Sequence, residues 1–169
     1  MSETRKPTLT GGCQCGAVRY ALFAMPDRAG ICHCRMCQKA VGGPFKAWAN
    51  VRVQDLTWTR GTPSTFRSSS AAERGFCERC GTPLTFGYTQ RPGTISVTIG
   101  SLDTPEAVAL TQVDGIESRW ASFDPAMLAA LPARRSGEAG APEDLSRITN
   151  FQHPDHDTPS DWRPPAVSA

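Results

Sequence analysis

Seven cysteines stand in three short groups, and this grouping constrains the fold more than any other feature of the sequence. The groups are Cys13-Gln14-Cys15, Cys32-His33-Cys34-Arg35-Met36-Cys37 and Cys77-Glu78-Arg79-Cys80. Spacings of one or two residues between thiols are typical of tetrahedral metal sites. We therefore predict two zinc sites per chain, a closed site of four thiolates and an open site of three.

Disulfide bonds are the main alternative for a short chain with many cysteines. The odd number of thiols and the lack of an apolar secretory signal in residues 1–10 count against them. Near neighbours such as Cys13 and Cys15 could be joined only with strain. Free thiols at such spacings are typical of a reducing compartment, so we expect a cytoplasmic zinc protein.

The residue after each group indicates which thiols share an ion. Gly16 follows the first group and Gly81 follows the last, and glycine allows the positive φ that turns backbone N–H groups towards the sulfurs. These two outer groups should therefore face one zinc. Its ligands would be Cys13, Cys15, Cys77 and Cys80. Four thiolates complete a tetrahedral shell, so this zinc would be structural.

The middle group has no such glycine and supplies only Cys32, Cys34 and Cys37 to a second zinc. Because three thiolates leave one coordination position open, we interpret these cysteines as the catalytic ligands of a second zinc, in a site that holds its metal less tightly than a four-thiolate site and can be partly occupied. His33 could be a fourth ligand. Alternation along an extended strand turns it away from both neighbouring cysteines, however, so we expect a packed histidine.

Composition favours a single domain with tails. The chain has 169 residues, 39% of them hydrophobic, and no apolar stretch long enough to cross a membrane. Its formal charge of +2 would fall close to zero with seven thiolates around two dications. A nearly neutral protein is a poor non-specific binder of nucleic acid. We expect neither nucleic acid nor membranes as partners.

Short β-branched or aromatic segments dominate the chain up to about residue 100. We predict a mainly β fold with strands over 17–22, 45–51, 56–59, 64–67, 84–86 and 94–99. A short helix is expected within residues 34–41. A second helix is expected within residues 124–131, where Asp124 is the capping residue and Pro125 stands at the first helical position.

The cysteine groups and their flanks resemble the glutathione-dependent formaldehyde-activating enzyme family. The matching segments are Gly11–Tyr20, Cys32–Lys39, Gly43–Phe45, Arg74–Leu84 and Gly100–Asp103. The resemblance covers about residues 8–132, which we take as the zinc-binding domain. Residues 1–7 would be an N-terminal tail, and the proline-rich residues 133–169 a mobile or loosely draped C-terminal tail.

The resemblance implies a β-tent of stacked antiparallel sheets, the two zinc sites, and a reaction. That reaction is the reversible addition of a small thiol such as glutathione to an aldehyde such as formaldehyde, as in a carbon–sulfur lyase. Members of the family often carry a histidine followed by an aromatic residue before Ser118, where this chain has Gln112-Val113-Asp114-Gly115. The departure bears on the substrate and leaves the cysteines unchanged.

The aldehyde oxygen would need its own hydrogen-bond donor. Arg35, Lys39 and His33 are the nearest candidates in sequence, although solvent exposure is the commoner fate of such residues.

Arginines could in turn bind the carboxylates of glutathione. Arg19, Arg67 and Arg74 are candidates, but surface ion pairs are their more usual role. Arg91 stands far from every cysteine, and we expect its replacement to leave thiol binding unchanged.

Two other functions fit the same cysteines. A non-catalytic, zinc-stabilised binding module would close its second site with a side chain from the tail or from another chain. A redox sensor would release zinc when the middle cysteines are oxidised.

Overall fold

Ten β-strands, two short α-helices and five single-turn 3₁₀ helices form the regular structure of residues 5–133 and 149–165, which the computed structural model describes. The strands are β1 (Leu9–Gly12), β2 (Arg19–Leu22), β3 (Arg28–Cys32), β4 (Lys46–Arg52), β5 (Leu56–Arg60), β6 (Ser64–Ser69), β7 (Ala72–Phe76), β8 (Pro83–Tyr88), β9 (Thr94–Thr98) and β10 (Gln112–Asp114). The helices are α1 (Arg35–Val41) and α2 (Pro125–Ala129). The predicted mainly β fold is confirmed. Residues 1–4 of the predicted N-terminal tail, and residues 134–148 and 166–169 of the predicted C-terminal tail, lie outside the described residues. No helix in the described ranges is long and apolar enough to span a bilayer.

The strands form two sheets. One has three strands in the order β1-β2-β5, and the other has seven in the order β10-β3-β4-β9-β8-β7-β6. Neighbouring strands are antiparallel except β10, which pairs with β3 in parallel. Side chains from both sheets share one buried core, in which Tyr20, Leu22, Leu84 and Val97 are the largest fully buried apolar residues.

Sequence patterns alone miss β1, β3, β7 and β10. The first three of these strands contain glycine, which weakens a strand signal, and the last has only three residues. Pairing with distant segments holds them in place, since β3 lies between β4 and β10. Both predicted helices are present. Asp124 caps α2 by accepting a hydrogen bond from the Ala126 N–H (2.9 Å).

A buried ion pair joins the two ends of the domain. Arg19 is 3% exposed, and its Nη1 and Nη2 donate to the two carboxylate oxygens of Asp103 at 2.8 and 2.5 Å. Burial opposes ionisation of Asp103, but the hydrogen bonds from Arg19 and Thr10 outweigh it and hold the pKa of that carboxyl below its usual value. The expectation of a surface ion pair at Arg19 is therefore wrong.

Residues 149–165 belong to the predicted C-terminal tail, and they contact the domain beside Cys13 and Cys15. The His153 N–H donates to the Gln14 carbonyl (2.7 Å), and its imidazole packs edge-on against Trp162 with ring centroids 4.5 Å apart. Asp157 accepts a third bond from Arg19 (2.9 Å). This part of the tail is thus bonded to the first cysteine group and to the buried ion pair.

Replacing Arg19 with Met should lower the free energy of unfolding by about 3–5 kcal/mol, because it leaves the Asp103 carboxylate buried and unpaired. Urea unfolding followed by circular dichroism measures this loss. Arg67→Met is the matched control, since Arg67 is exposed and bonds only the Ser70 carbonyl in the described structure. It should change stability by no more than about 0.5 kcal/mol. Equal losses in both variants would show that the buried pair contributes nothing.

Candidate metal centres and the adjoining cavity

The outer cysteine groups meet in space. The sulfurs of Cys13, Cys15, Cys77 and Cys80 all lie within 4.8 Å of one another, an arrangement that could hold a metal ion. Cys13 and Cys15 Sγ are 3.6 Å apart, and Cys15 and Cys77 Sγ are 3.9 Å apart. A tetrahedral zinc with bonds of about 2.3 Å would separate its sulfurs by about 3.8 Å. The donor set and its spacing therefore fit zinc.

Two tight turns, each with a glycine of positive φ, build this cluster. Gly16 and Gly81 have φ values of +70° and +76°, which confirms the expectation drawn from their positions. Their N–H groups donate back to the carbonyls of Cys13 (3.0 Å) and Cys77 (2.8 Å). The Val18 N–H points at Cys13 Sγ from 3.2 Å. Backbone donors aimed at the sulfur favour its thiolate form.

The thiols of this cluster cannot all ionise by themselves. Burial raises the pKa of Cys13 to about 12. At Cys80, burial acts in the same direction but is outweighed by hydrogen bonds from Thr82, and the pKa falls to about 6. Adjacent thiolates repel one another, so one ionised thiol opposes ionisation of the next. A dication at the centre of the cluster would remove this conflict.

The middle group forms a second cluster. The sulfurs of Cys32, Cys34 and Cys37 also lie within 4.8 Å of one another. Cys32 ends β3, Cys34 precedes the first residue of α1, and Cys37 lies in the first turn of that helix. Burial raises the pKa of Cys32 to about 12; at Cys34, burial is outweighed by donors that include the Cys37 N–H, and the pKa is lowered. Three soft donors of this kind also fit zinc.

His33 lies apart from this cluster. The residue is 6% exposed, and its ring packs edge-on against Phe45 with centroids 5.7 Å apart. Its N–H donates to the Asp114 carbonyl (2.9 Å), and its Nδ1 is buried without a hydrogen-bond partner in the described structure. His33 is a packed histidine, as strand alternation predicts.

A cavity of about 460 Å³ opens directly onto the three-cysteine cluster. Its charged lining residues are Arg28, Lys46, Arg74, Arg91 and Asp114, and its aromatic lining residues are Trp48, Phe86 and Tyr88. None of the four cations forms an ion pair with any residue in 5–133 or 149–165. Four cations facing one carboxylate favour an anionic ligand.

Two of these cations meet at one aromatic ring beside the cysteines. Lys46 Nζ and the Arg74 guanidinium lie 5.6 and 4.9 Å from the Phe86 ring centroid. Arg74 Nη2 also lies 3.7 Å from Cys37 Sγ, within reach of a hydrogen bond to sulfur. Burial, helped by Arg74, lowers the pKa of Lys46 to about 8. Both cations thus stand next to the sulfurs that would carry negative charge.

Comparison with known proteins identifies the relatives of this chain. The family described as glutathione-dependent formaldehyde-activating enzyme matches residues 8–114. The chain belongs to this family. An uncharacterised lyase of Schizosaccharomyces pombe is 32% identical over 83 residues, which are 49% of this chain and 60% of that protein. A crystal structure of a Rhodobacter sphaeroides protein is 26% identical, covers 54% of this chain and 85% of its own, and has a TM-score of 0.46.

Family membership does not say which hydrogen-bond donors face the cavity. Nearness in sequence to the middle cysteines does not identify them either. None of the three predicted donors is among the lining residues of the cavity. Arg35 donates to Gln38 Oε1, Lys39 lies at a neighbouring cavity, and His33 is packed against Phe45. Arg35, Lys39 and His33, the candidates nearest in sequence, therefore do not line the cavity. A helix turns its side chains in several directions, so nearness in sequence does not place two of them at one site.

The expectation for the arginines also changes. Arg74 lines the cavity, whereas Arg19 is buried elsewhere in the ion pair with Asp103. Arg91 lines the cavity although it is remote in sequence, with its guanidinium 5.8 Å from the Tyr88 ring centroid. Arg91 therefore belongs to the site and is unsuitable as a neutral control.

A loop after β10 packs against Cys34 of the three-cysteine cluster. Gly115 has φ +64°, and a Cβ atom there would lie 2.7 Å from the Cys34 nitrogen, so only glycine fits. Gln38 on α1 holds the loop by donating to the Ser118 carbonyl (2.8 Å) and accepting from the Trp120 indole N–H (3.1 Å).

Alanine at Cys13 or Cys80 should leave mostly insoluble or unfolded protein, because metal binding to the four-cysteine cluster would be part of the folding energy, about 10–16 kcal/mol for a structural zinc. Alanine at Cys34 or Cys37 should leave a folded protein with a modestly lower Tm. Circular dichroism melts of the four variants test this difference. Equal losses in the two pairs would remove the distinction between a structural and an open cluster.

Proposed function

We propose that this protein is a zinc-dependent carbon–sulfur lyase of the glutathione-dependent formaldehyde-activating type, which adds a small thiol reversibly to an aldehyde. The observation that carries the proposal is the difference between the two cysteine clusters. One offers four sulfurs held together by two glycine turns, and the other offers three sulfurs at the wall of a cavity. A three-ligand site beside a cavity is the arrangement that catalytic zinc requires.

The proposed structural ligands are Cys13, Cys15, Cys77 and Cys80, and the proposed ligands of the open site are Cys32, Cys34 and Cys37. Zinc in the open site would supply a coordination position that deprotonates and orients an incoming thiol. Arg74, next to Cys37 Sγ, would offset part of the negative charge gathered there.

The cavity supports a small anionic thiol as substrate. Its volume lies within the range of about 300–1,000 Å³ that is usual for small-molecule sites. Glutathione carries two carboxylates, and arginine forks bind carboxylates in bidentate fashion, so Arg28 and Arg91 are suitable partners. Trp48 offers an apolar surface for the peptide. A reducing cytoplasm would supply glutathione and keep the seven thiols free.

The name of the fission yeast relative also supports a lyase. This chain spans 60% of that protein's length, so the reaction itself depends on a test with this protein.

Cobalt substitution tests the function directly. Glutathione added to the cobalt-loaded protein should change its absorption, because a new thiolate ligand adds charge-transfer intensity, and the affinity should rise with pH until the thiol is ionised. Cys37→Ala should abolish the change and lower the zinc content from two ions per chain to one. Arg67→Ala, at an exposed arginine outside the cavity lining, should behave like the unsubstituted protein.

A cobalt absorption spectrum that does not change when glutathione is added would contradict the enzyme proposal. It would instead favour a zinc-stabilised binding module whose second site is closed by another side chain. Equal glutathione binding by the unsubstituted protein and by Cys37→Ala would place the thiol site elsewhere.

A further inference from the structure

Lys46 is a buried cation on the wall that the cavity shares with the three-cysteine cluster. It is the first residue of β4, and its Cα is the direct cross-strand partner of Cys32 on β3. Cross-strand partners project to the same face of a sheet with Cβ atoms about 4.5–5.5 Å apart. The residue is 3% exposed, forms no ion pair with the described residues, and lines the cavity. A lysine is rarely buried without a partner unless the site uses its charge.

The other cations of the cavity are placed differently. Arg74 is already directed at Cys37 Sγ. Arg28 begins β3, and four residues of extended chain put its Cα about 13 Å from that of Cys32. Arg91 lies beyond the end of β8, against Tyr88. Lys46 therefore combines a position beside the cysteines with a charge that no described carboxylate pairs.

We propose that Lys46 is a catalytic residue whose Nζ binds the aldehyde oxygen in the active site. The inference rests on the proposed function, because it takes the three-cysteine cluster as the place where the thiol is held. An aldehyde whose carbon faces a sulfur at this cluster has its oxygen only one bond further away. The side chain next to Cys32 is then in position to donate a hydrogen bond to it.

The reaction balances without any further reagent. The thiolate sulfur forms a bond to the carbonyl carbon with its lone pair, and the π electrons of the C=O bond move onto the oxygen. That oxygen takes up a proton from solvent in the cavity, in place of the proton that the thiol released. Lys46 transfers no proton in this step, and its ammonium form would stabilise the charge that develops on the oxygen. The reverse reaction uses the same contact.

A purely structural role for Lys46 predicts different behaviour. If the ammonium only offset the charge of the cysteine cluster, its loss would reduce zinc content and thiol affinity. If it binds the aldehyde oxygen, its loss would slow the reaction and leave zinc and thiol binding intact. The two roles are therefore separated by measurements on the same variant.

The test compares Lys46→Met, which keeps an unbranched side chain of nearly the same length without its charge, with Lys46→Arg and with Lys39→Met. Lys39 is the matched control because it is a lysine of the adjacent helix that does not line this cavity. Zinc content, cobalt spectra with glutathione, and the steady-state rate of aldehyde addition are measured for each. Lys46→Met should lower kcat about 100-fold, with glutathione affinity and zinc content within threefold of the unsubstituted protein. Lys46→Arg should have at least a tenth of the kcat of the unsubstituted protein, and Lys39→Met should have the same kcat as the unsubstituted protein.

Formate provides a second measurement on the unsubstituted protein, so the test does not depend on the folding of a variant. Its oxygens resemble the charged oxygen of the adduct, and it should compete with the aldehyde and not with glutathione. Formate that fails to compete with the aldehyde would overturn the role of Lys46. So would a normal kcat in Lys46→Met, or a loss of zinc and thiol binding in that variant. An unsubstituted protein that binds no glutathione and forms no adduct would overturn the proposed function as well, and the two failures are thereby distinguished.

Discussion

Four sulfurs from the start and the middle of the domain meet within 4.8 Å, and the rest of the structure depends on that meeting. Thiolates so close together would repel one another, and burial raises the pKa of Cys13 to about 12, so the cluster could ionise fully only around a compensating charge. A dication would supply that charge. It would join the segment after β1 to the segment after β7, and so hold the two sheets around one core.

The second cluster differs because the surrounding chain leaves one side of it open. Its three sulfurs come from the end of β3 and the start of α1, and the loop at Gly115 packs against Cys34. The remaining side faces a cavity with four cations and one carboxylate. An anionic thiol is attracted to such a cavity. The proposed chemistry therefore depends on one difference between the two cysteine clusters: one offers four sulfurs to a metal, and the other offers three beside a cavity.

The described part of the C-terminal tail contacts the four-cysteine cluster and does not line the cavity. His153 bonds the Gln14 carbonyl between two of the cysteines, and Asp157 adds a second carboxylate to the buried Arg19. The His153 ring packs so closely against Gly16 that a Cβ atom on that residue would lie 2.4 Å from the ring carbon Cδ2. There is therefore no room for a larger residue than glycine. The tail and the turn are thus matched to each other.

The sequence by itself determined the grouping of the cysteines, the positive φ of Gly16 and Gly81, the β-rich character and the family, because each depends on residues that are neighbours in the chain. Tertiary structure decided which side chains stand beside the open cluster. Lys46 is nine residues beyond Cys37 and reaches the cavity only through its pairing with Cys32 across the β3–β4 ladder. Arg91 is further from the cysteines and also lines the cavity, whereas Arg35 is adjacent to Cys34 and does not. Strand register and the direction of each side chain set these positions, and neither can be read from spacing along the chain.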